Sequence, residues 1–446
     1  MENRLQDSVS NLPSRLEPFR ADSRRMLTDA PDESAGPSVP LGVSCLSGRK
    51  VALPESALRY GSLVLGLPGY GRHGFLVAVV GELLRRKVRG SVAGPMIVLG
   101  PSSGLLTKIW RVVPASIRDE VNLLDFGNPN GESRFNPVDP TSNDIAWELG
   151  DVIARSVRPS WGKPEEISEE LIRLCLSAIC DLNSGVRSAP ETKRGFVDVL
   201  ELLKERASVP TGRLYPGLSD FQALVLSRVT QPAIKERLLA LFNCEPSELM
   251  VIRDRYEAWL RHAMSRPGAP RVLKSHAADN SLSDAMEQGS ILMINTAENE
   301  LGDQLSGILG SVIVAQVVNL LIERKHPRDH HIPFCTIVCD GFLGYRGADW
   351  RSLMVNALAH RCSLFLSESS LHKSGNAGIP LTNALLTQLR TFVGYRTEVE
   401  DAEMLAEEMG RDLVKVNHLT SLDQHQCYVH CAGVPAVYRP ISVMTR

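Results

Sequence analysis

Residues 66–75 read GLPGYGRHGF and follow the apolar run Leu63-Val64-Leu65. Gly66 and Gly71 stand five positions apart, between a strand pattern and a helix pattern. This is the frame of a phosphate loop, G-x-x-x-x-G-K-[ST]. In such a loop the glycines let backbone N–H groups converge on phosphate, the lysine bridges the terminal phosphates, and the hydroxyl holds magnesium. Gly66, Gly69 and Gly71 keep the backbone part, but Arg72 and His73 occupy the lysine and hydroxyl positions. A planar guanidinium does not replace a compact ammonium between two phosphates, and magnesium prefers oxygen ligands to imidazole nitrogen. Taken alone, the stretch fits a phosphate cradle, a degenerate cradle or an ordinary strand-to-helix turn.

On either side of the loop, strand-like apolar runs alternate with helical patterns. SLVLGL, a helix from about 75 to 88, GPMIVLG, a helix near 105–113 and EVNLLDF follow one another. Strict alternation of this kind predicts a parallel sheet with crossover helices. From about Thr141 the texture changes, and segments such as DIAWELGDVIARSV, AIKERLLALF and SELMVIRDRYEAWLRHAM carry apolar residues at helical spacing. Strand signal returns only at GSILMINTA, residues 289–297, after which alternation resumes to a closing hairpin in QCYVHCAGVPAVYRP. The expected organisation is an N-terminal mobile arm over 1–47, rich in Ser, Pro, Asp and Arg, then the first part of a nucleotide-binding-type domain over 48–140. An inserted all-α domain over 141–285 and the second part of the α/β domain over 286–446 complete it.

Composition limits what this architecture can do. The 446 residues suggest roughly two to three domains, and 43% apolar against 22% charged residues is enough for a large core. Lys plus Arg number 49 against 51 Asp plus Glu, a net charge of -2, which excludes global attraction to nucleic acid or anionic lipid. The longest apolar run, Gly307 to Ile322, is interrupted by Ser311, Gln316 and Asn319 and is short for a membrane span, so it reads as a buried helix. Nine scattered cysteines, mostly in apolar segments, fit reduced thiols, and the expected location is the cytoplasm with no transmembrane segment.

Two further stretches bear on the loop. HIPFCTIVCDGF is an apolar strand ending in Asp340, where phosphoryl-transfer enzymes present the acid that holds the metal's water shell. The next residue is Gly341, where a water-activating Glu is usual. Asp340 also fits an acid that caps the following turn. RCSLFLSESS is the next strand, and Ser367, Glu368 and Ser369 lie where a polar residue senses the γ-phosphate.

The order of these motifs resembles the conjugative coupling proteins of the TraG/TraD type, in the FtsK–HerA superfamily of ring-forming, DNA-pumping ATPases. The resemblance covers about residues 50–440. Phe135-Asn136-Pro137 matches the family's Asn-Pro motif, and Trp161-Gly162 matches the start of its inserted helical domain. ENELGDQLSGILGSVIVAQV, DGFLGY and VGYRTEVEDAEMLAEEMG match its segments around the second nucleotide motif. The resemblance implies a RecA-like P-loop domain of the α/β class, with a mainly parallel sheet and an inserted all-helical domain. It also implies ATP with magnesium as cofactors, Gly66, Gly69, Gly71, Arg72 and His73 as the nucleotide-binding set, and Asp340 as the magnesium residue. The implied partners are DNA and a homo- or hetero-oligomeric ring of related ATPase subunits.

The departures all fall on chemistry: Arg72-His73, Asp340-Gly341, Gly100-Pro101-Ser102-Ser103 in place of Asp-Pro-Lys-Gly, and Glu368-Ser369 at the sensor strand. Losing one electrostatic stabiliser of phosphoryl transfer costs on the order of a hundred- to thousand-fold in rate. Three readings follow. The first is a pseudo-ATPase acting as a structural or regulatory subunit of a DNA-translocation or secretion assembly. The second is a working DNA-dependent ATPase using Arg72, Asp340 and Glu368, with Glu368 as base. The third is a DNA-binding module without nucleotide.

Other clusters read more plainly. His425, Cys427, His430 and Cys431 invite zinc, but strand alternation turns His430 away from the other three, which favours a hairpin core. Arg253, Arg255 and Arg261 lie among Glu248, Asp254 and Glu257, as on an ion-paired solvated helix face. His330-His331 read as a solvated loop.

Overall fold

The computed structural model describes residues 26–28, 38–89, 94–131, 135–140, 145–157, 166–184, 193–204, 217–275, 281–324, 334–372, 378–431 and 436–443. Trp161-Gly162 and His330-His331 lie outside them. The strands in chain order are β1 (Met26–Thr28), β2 (Ser38–Ser44), β3 (Lys50–Pro54), β4 (Ser62–Leu65), β5 (Met96–Gly100), β6 (Val121–Asp125), β7 (Ile291–Asn295), β8 (Cys335–Asp340), β9 (Cys362–Glu368), β10 (Thr391–Gly394), β11 (Gln426–Cys431) and β12 (Ala436–Val443). Two compact units emerge, one of residues 1–79 with 369–446 and the other of 80–368.

In the second unit five strands run parallel in the order β6-β7-β5-β8-β9. Their sequences explain the arrangement. MIVLG, ILMIN and CTIVCD are buried at every position, as strands must be when crossover helices cover both faces. β6 differs: Asn122 and Leu123 are exposed, in keeping with its place at the sheet's edge. After β6 the chain leaves the sheet, and every described element up to β7 is helical, including Ala146–Val157, Glu166–Ser184, Asp220–Arg228, Pro232–Phe242 and Pro246–Met264. It returns as β7 into the slot between β5 and β6.

The helical segment is fastened to the rest of this unit by buried polar contacts. Lys193 Nζ meets both Asp139 oxygens at 2.6 Å. Asn183 donates to Val138 O (2.8 Å) and Arg194 O (2.9 Å), and Gln316 donates to Asp139 O at 3.0 Å. Asn136, the centre of the Asn-Pro motif, donates to Arg194 O at 2.8 Å, so its amide is spent on this fastening. Helix Asp303–Glu323 is long and apolar enough to cross a membrane, but 89% of its most apolar window is buried. It is a core helix that packs against Ala146–Val157 and Trp350–Ala359.

In the first unit the order is β3-β2-β12-β11-β10-β4, with β1 also on β12. β4 and β10 are parallel, whereas β10, β11, β12, β2 and β3 pair antiparallel in succession. The expected arm over 1–47 is therefore corrected at its end. Ser38–Ser44 is a strand with Val39 and Leu41 buried, because its apolar residues fall on one face and find β3 and β12. The closing hairpin is β11 with β12, and His430 is buried there, stacked on Phe392 at 6.4 Å. Burial pushes the Cys427 and Cys431 thiols up to about 12, as in an apolar hairpin core. Among the described residues no group of His, Cys, Asp and Glu is arranged to hold a metal ion.

Candidate functional site: a glycine loop and an acidic strand end

In the first unit β4 delivers the chain into the loop, and helix Arg72–Val88 begins directly after Gly71, three residues earlier than periodicity places it. Gly69 (φ +86) and Gly71 (φ +103) both take the left-handed region. There an L side chain is strained by about 1–2 kcal/mol, so these two glycines are required by backbone shape. Gly66 is required by proximity, because a Cβ on it would lie 2.6 Å from Tyr395 Cβ. The loop thus has the strand, turn and helix start that direct amide groups at an anion.

The side chains of the loop differ from that frame. Arg72 Nη1 turns back to donate to Gly66 O, at 3.4 Å. His73 presents an imidazole on the first helical turn. Pro68 and Gly69 are exposed, and Gly71, Arg72 and His73 are half-buried. The loop's backbone keeps the strand, turn and helix start of a phosphate loop, but the residue at the hydroxyl position is His73, whose imidazole offers a magnesium ion no oxygen ligand.

In the second unit, β8 and β9 bring Asp340 and Glu368 to adjoining strand ends, with Asp340 in register with Ser367. Both acids are buried, at 3% and 8% exposure. Ser367 Oγ donates to Asp340 Oδ1 at 2.8 Å. The Leu343 N–H donates to Glu368 Oε2 at 3.2 Å, so this carboxylate holds the short 3-10 turn Phe342–Gly344 that follows β8. Gly341 opens that turn in the left-handed region (φ +62), and a Cβ on it would meet Pro101 Cγ at 2.9 Å. The position where a catalytic Glu would stand is therefore shaped for glycine.

Sequence reasoning located the loop and both acids. It missed Ser367 as the partner of Asp340, the turn held by Glu368, and the contacts of Tyr395, Arg396 and His425 with the loop, because each is a tertiary pairing without a local pattern. The Arg253–Arg261 face is ion-paired at least through Arg261 and Glu257, 2.8 Å apart.

No family model and no curated protein matches the sequence. Solved structures do match in fold. The plasmid coupling protein TrwB in complex with the ATP analogue ADPNP superposes with a TM-score of 0.60 at 16% identity, covering 96% of this chain and 91% of that one. TrwB in complex with ADP and Mg2+ gives 0.59 at 15% identity, over 93% and 97%. VirB4 of Thermoanaerobacter pseudethanolicus gives 0.59 at 13% identity, over 94% and 98%. The chain shares the mixed α/β, mainly parallel fold of these proteins along nearly its whole length.

Proposed function

We infer that this chain is a catalytically degenerate P-loop ATPase of the coupling-protein type, acting in the cytoplasm as a structural or regulatory subunit of a conjugation or secretion assembly. The observation that carries the reading is the retention of the glycine loop's backbone, with its two left-handed glycines, beside altered chemistry. Arg72 and His73 stand for the lysine and hydroxyl, and the water-activating position is a left-handed Gly341 pressed on Pro101. The fold of TrwB and VirB4 supports the assembly part. On this reading the nucleotide's phosphates would rest on the amides of the Gly66–Gly71 loop, with Arg72 as the cationic side chain, and the related subunits of a mixed ring would do the hydrolysis.

A second reading, a working ATPase with Arg72, Asp340 and Glu368 in the catalytic roles, draws support from one fact: β8 and β9 carry both carboxylates to adjoining ends. Turnover of radiolabelled ATP by the pure full chain, with and without DNA, separates the two. The pseudo-ATPase reading expects no turnover above background in either condition. Steady turnover abolished by Asp340→Ala and Glu368→Gln would establish the working enzyme instead.

A further inference from the structure

The glycine loop is gripped from two sides by segments remote in sequence but within the same unit. On one side the Leu67 N–H donates to Arg396 O at 2.8 Å. The Arg396 guanidinium then reaches Tyr70 Oη at 3.1 Å and lies 5.0 Å from the centre of its ring. On the other side the His425 N–H donates to Tyr70 O at 2.9 Å, and the Val443 N–H donates to His425 O at 3.0 Å. A chain of hydrogen bonds therefore runs from the loop through His425 to β12.

His425 makes this link in an uncommon backbone state. Its φ is +66, and only two other described non-glycine residues, Ala297 and Arg361, have positive φ. The conformation costs an L-residue about 1–2 kcal/mol, and it persists only where the surroundings impose it. The local turn supplies it: the Gln426 N–H donates to Asp423 O at 3.2 Å, which makes His425 the third residue of a turn, a position where positive φ goes with the turn type. The glycine loop packs closely on this turn, for a Cβ on Gly71 would lie 2.7 Å from His425 Nδ1 and 3.0 Å from its Cα. Gly71 and His425 have thus each given up ordinary backbone geometry at one point of contact. Neither the expected nucleotide chemistry nor the hairpin core uses His425.

We propose that His425 is a positioning residue of the glycine loop: its left-handed backbone fastens Tyr70-Gly71 to β12 and holds the loop in its phosphate-receiving shape before any ligand arrives. In a working loop, part of that order comes from lysine, magnesium and nucleotide together. This loop lacks the first and the hydroxyl ligand of the second, and its own chain supplies the order. Preorganisation lowers the ordering cost of binding, so ADP is taken up without a divalent cation. The ligand's identity rests on the nucleotide reading given above, whereas the fastening does not.

Amide hydrogen exchange of residues 66–74 in the full chain without nucleotide tests the fastening, with His425→Asn and His425→Val as the variants. Asn tolerates the left-handed region and a β-branched residue does not. Valine is expected to speed exchange in the loop by about tenfold, the factor that corresponds to the 1–2 kcal/mol of strain, while Asn stays near the parent. ADP affinity measured in EDTA follows the same order. Should the Val variant fail to fold, His425→Ala decides on the same readout, since it keeps the N–H and tolerates the conformation less well than His or Asn. Loop exchange unchanged in a folded Val or Ala variant overturns the proposal. If the parent binds no ADP but exchange responds as expected, the fastening stands and the nucleotide reading of the loop is what fails.

Discussion

Ser367 Oγ donates a 2.8 Å hydrogen bond to Asp340 Oδ1, and Asp340 is buried at the end of the strand it terminates. The hydroxyl therefore lowers the cost of keeping a carboxylate in the interior. Ser367→Ala should weaken the second unit by about 1–3 kcal/mol, the usual penalty for taking a partner from a buried polar group. Urea denaturation followed by tryptophan fluorescence, with Trp350 close to this region, measures the shift in midpoint.

Gly341→Glu restores the acid that phosphoryl-transfer enzymes carry after the strand-end Asp. The residue sits at φ +62 with Pro101 in the path of any Cβ. The substitution should lower the thermal midpoint, by the equivalent of about 1–2 kcal/mol for the backbone alone, and should add no ATP turnover. A stable variant that hydrolyses ATP would contradict both the geometry and the pseudo-ATPase reading.

The pair Arg72→Lys and His73→Thr gives the loop back an ammonium and a hydroxyl. ADP binding should then become dependent on magnesium, tighter by about tenfold in its presence than in EDTA, or roughly 1.4 kcal/mol. Titration calorimetry under the two conditions, with the parent chain as reference, shows whether the dependence appears.

Asp139 is raised from its ordinary carboxylate value by burial, and the Lys193 ammonium works against that rise. A carboxyl whose folded pKa is raised adds stability while protonated and loses it as pH climbs from the unfolded value near 3.8 through the folded one. Lys193→Met removes the opposing charge and widens that window. The variant should be destabilised by about 3–5 kcal/mol at neutral pH, and the gap from the parent should narrow as pH falls toward 4. Thermal midpoints of both chains across that range test the sign; a gap that stays constant with pH would show that Asp139 is not its source.

Local patterns were sufficient for the elements. The glycine loop between β4 and helix Arg72–Val88, the buried and mostly apolar strands β5, β7 and β8, and the burial of helix Asp303–Glu323 all follow from periodicity and from residues that dictate their own backbone. Ser38–Ser44 escaped because its two core residues are diluted by Ser, Pro and Gly, and only pairing with β3 and β12 makes it a strand.

The sequence by itself determined a glycine-rich strand-to-helix loop with Arg72 and His73 directly after Gly71, because those are residue identities at fixed spacing. Tertiary structure decided what the spared positions do. It set Ser367 on Asp340, spent Glu368 on the Leu343 amide, put Pro101 against Gly341 and seated His425 on Gly71. None of these pairs is close in sequence. Their meeting depends on strand order and register, which the cooperative packing of the fold fixes and no short stretch of chain encodes.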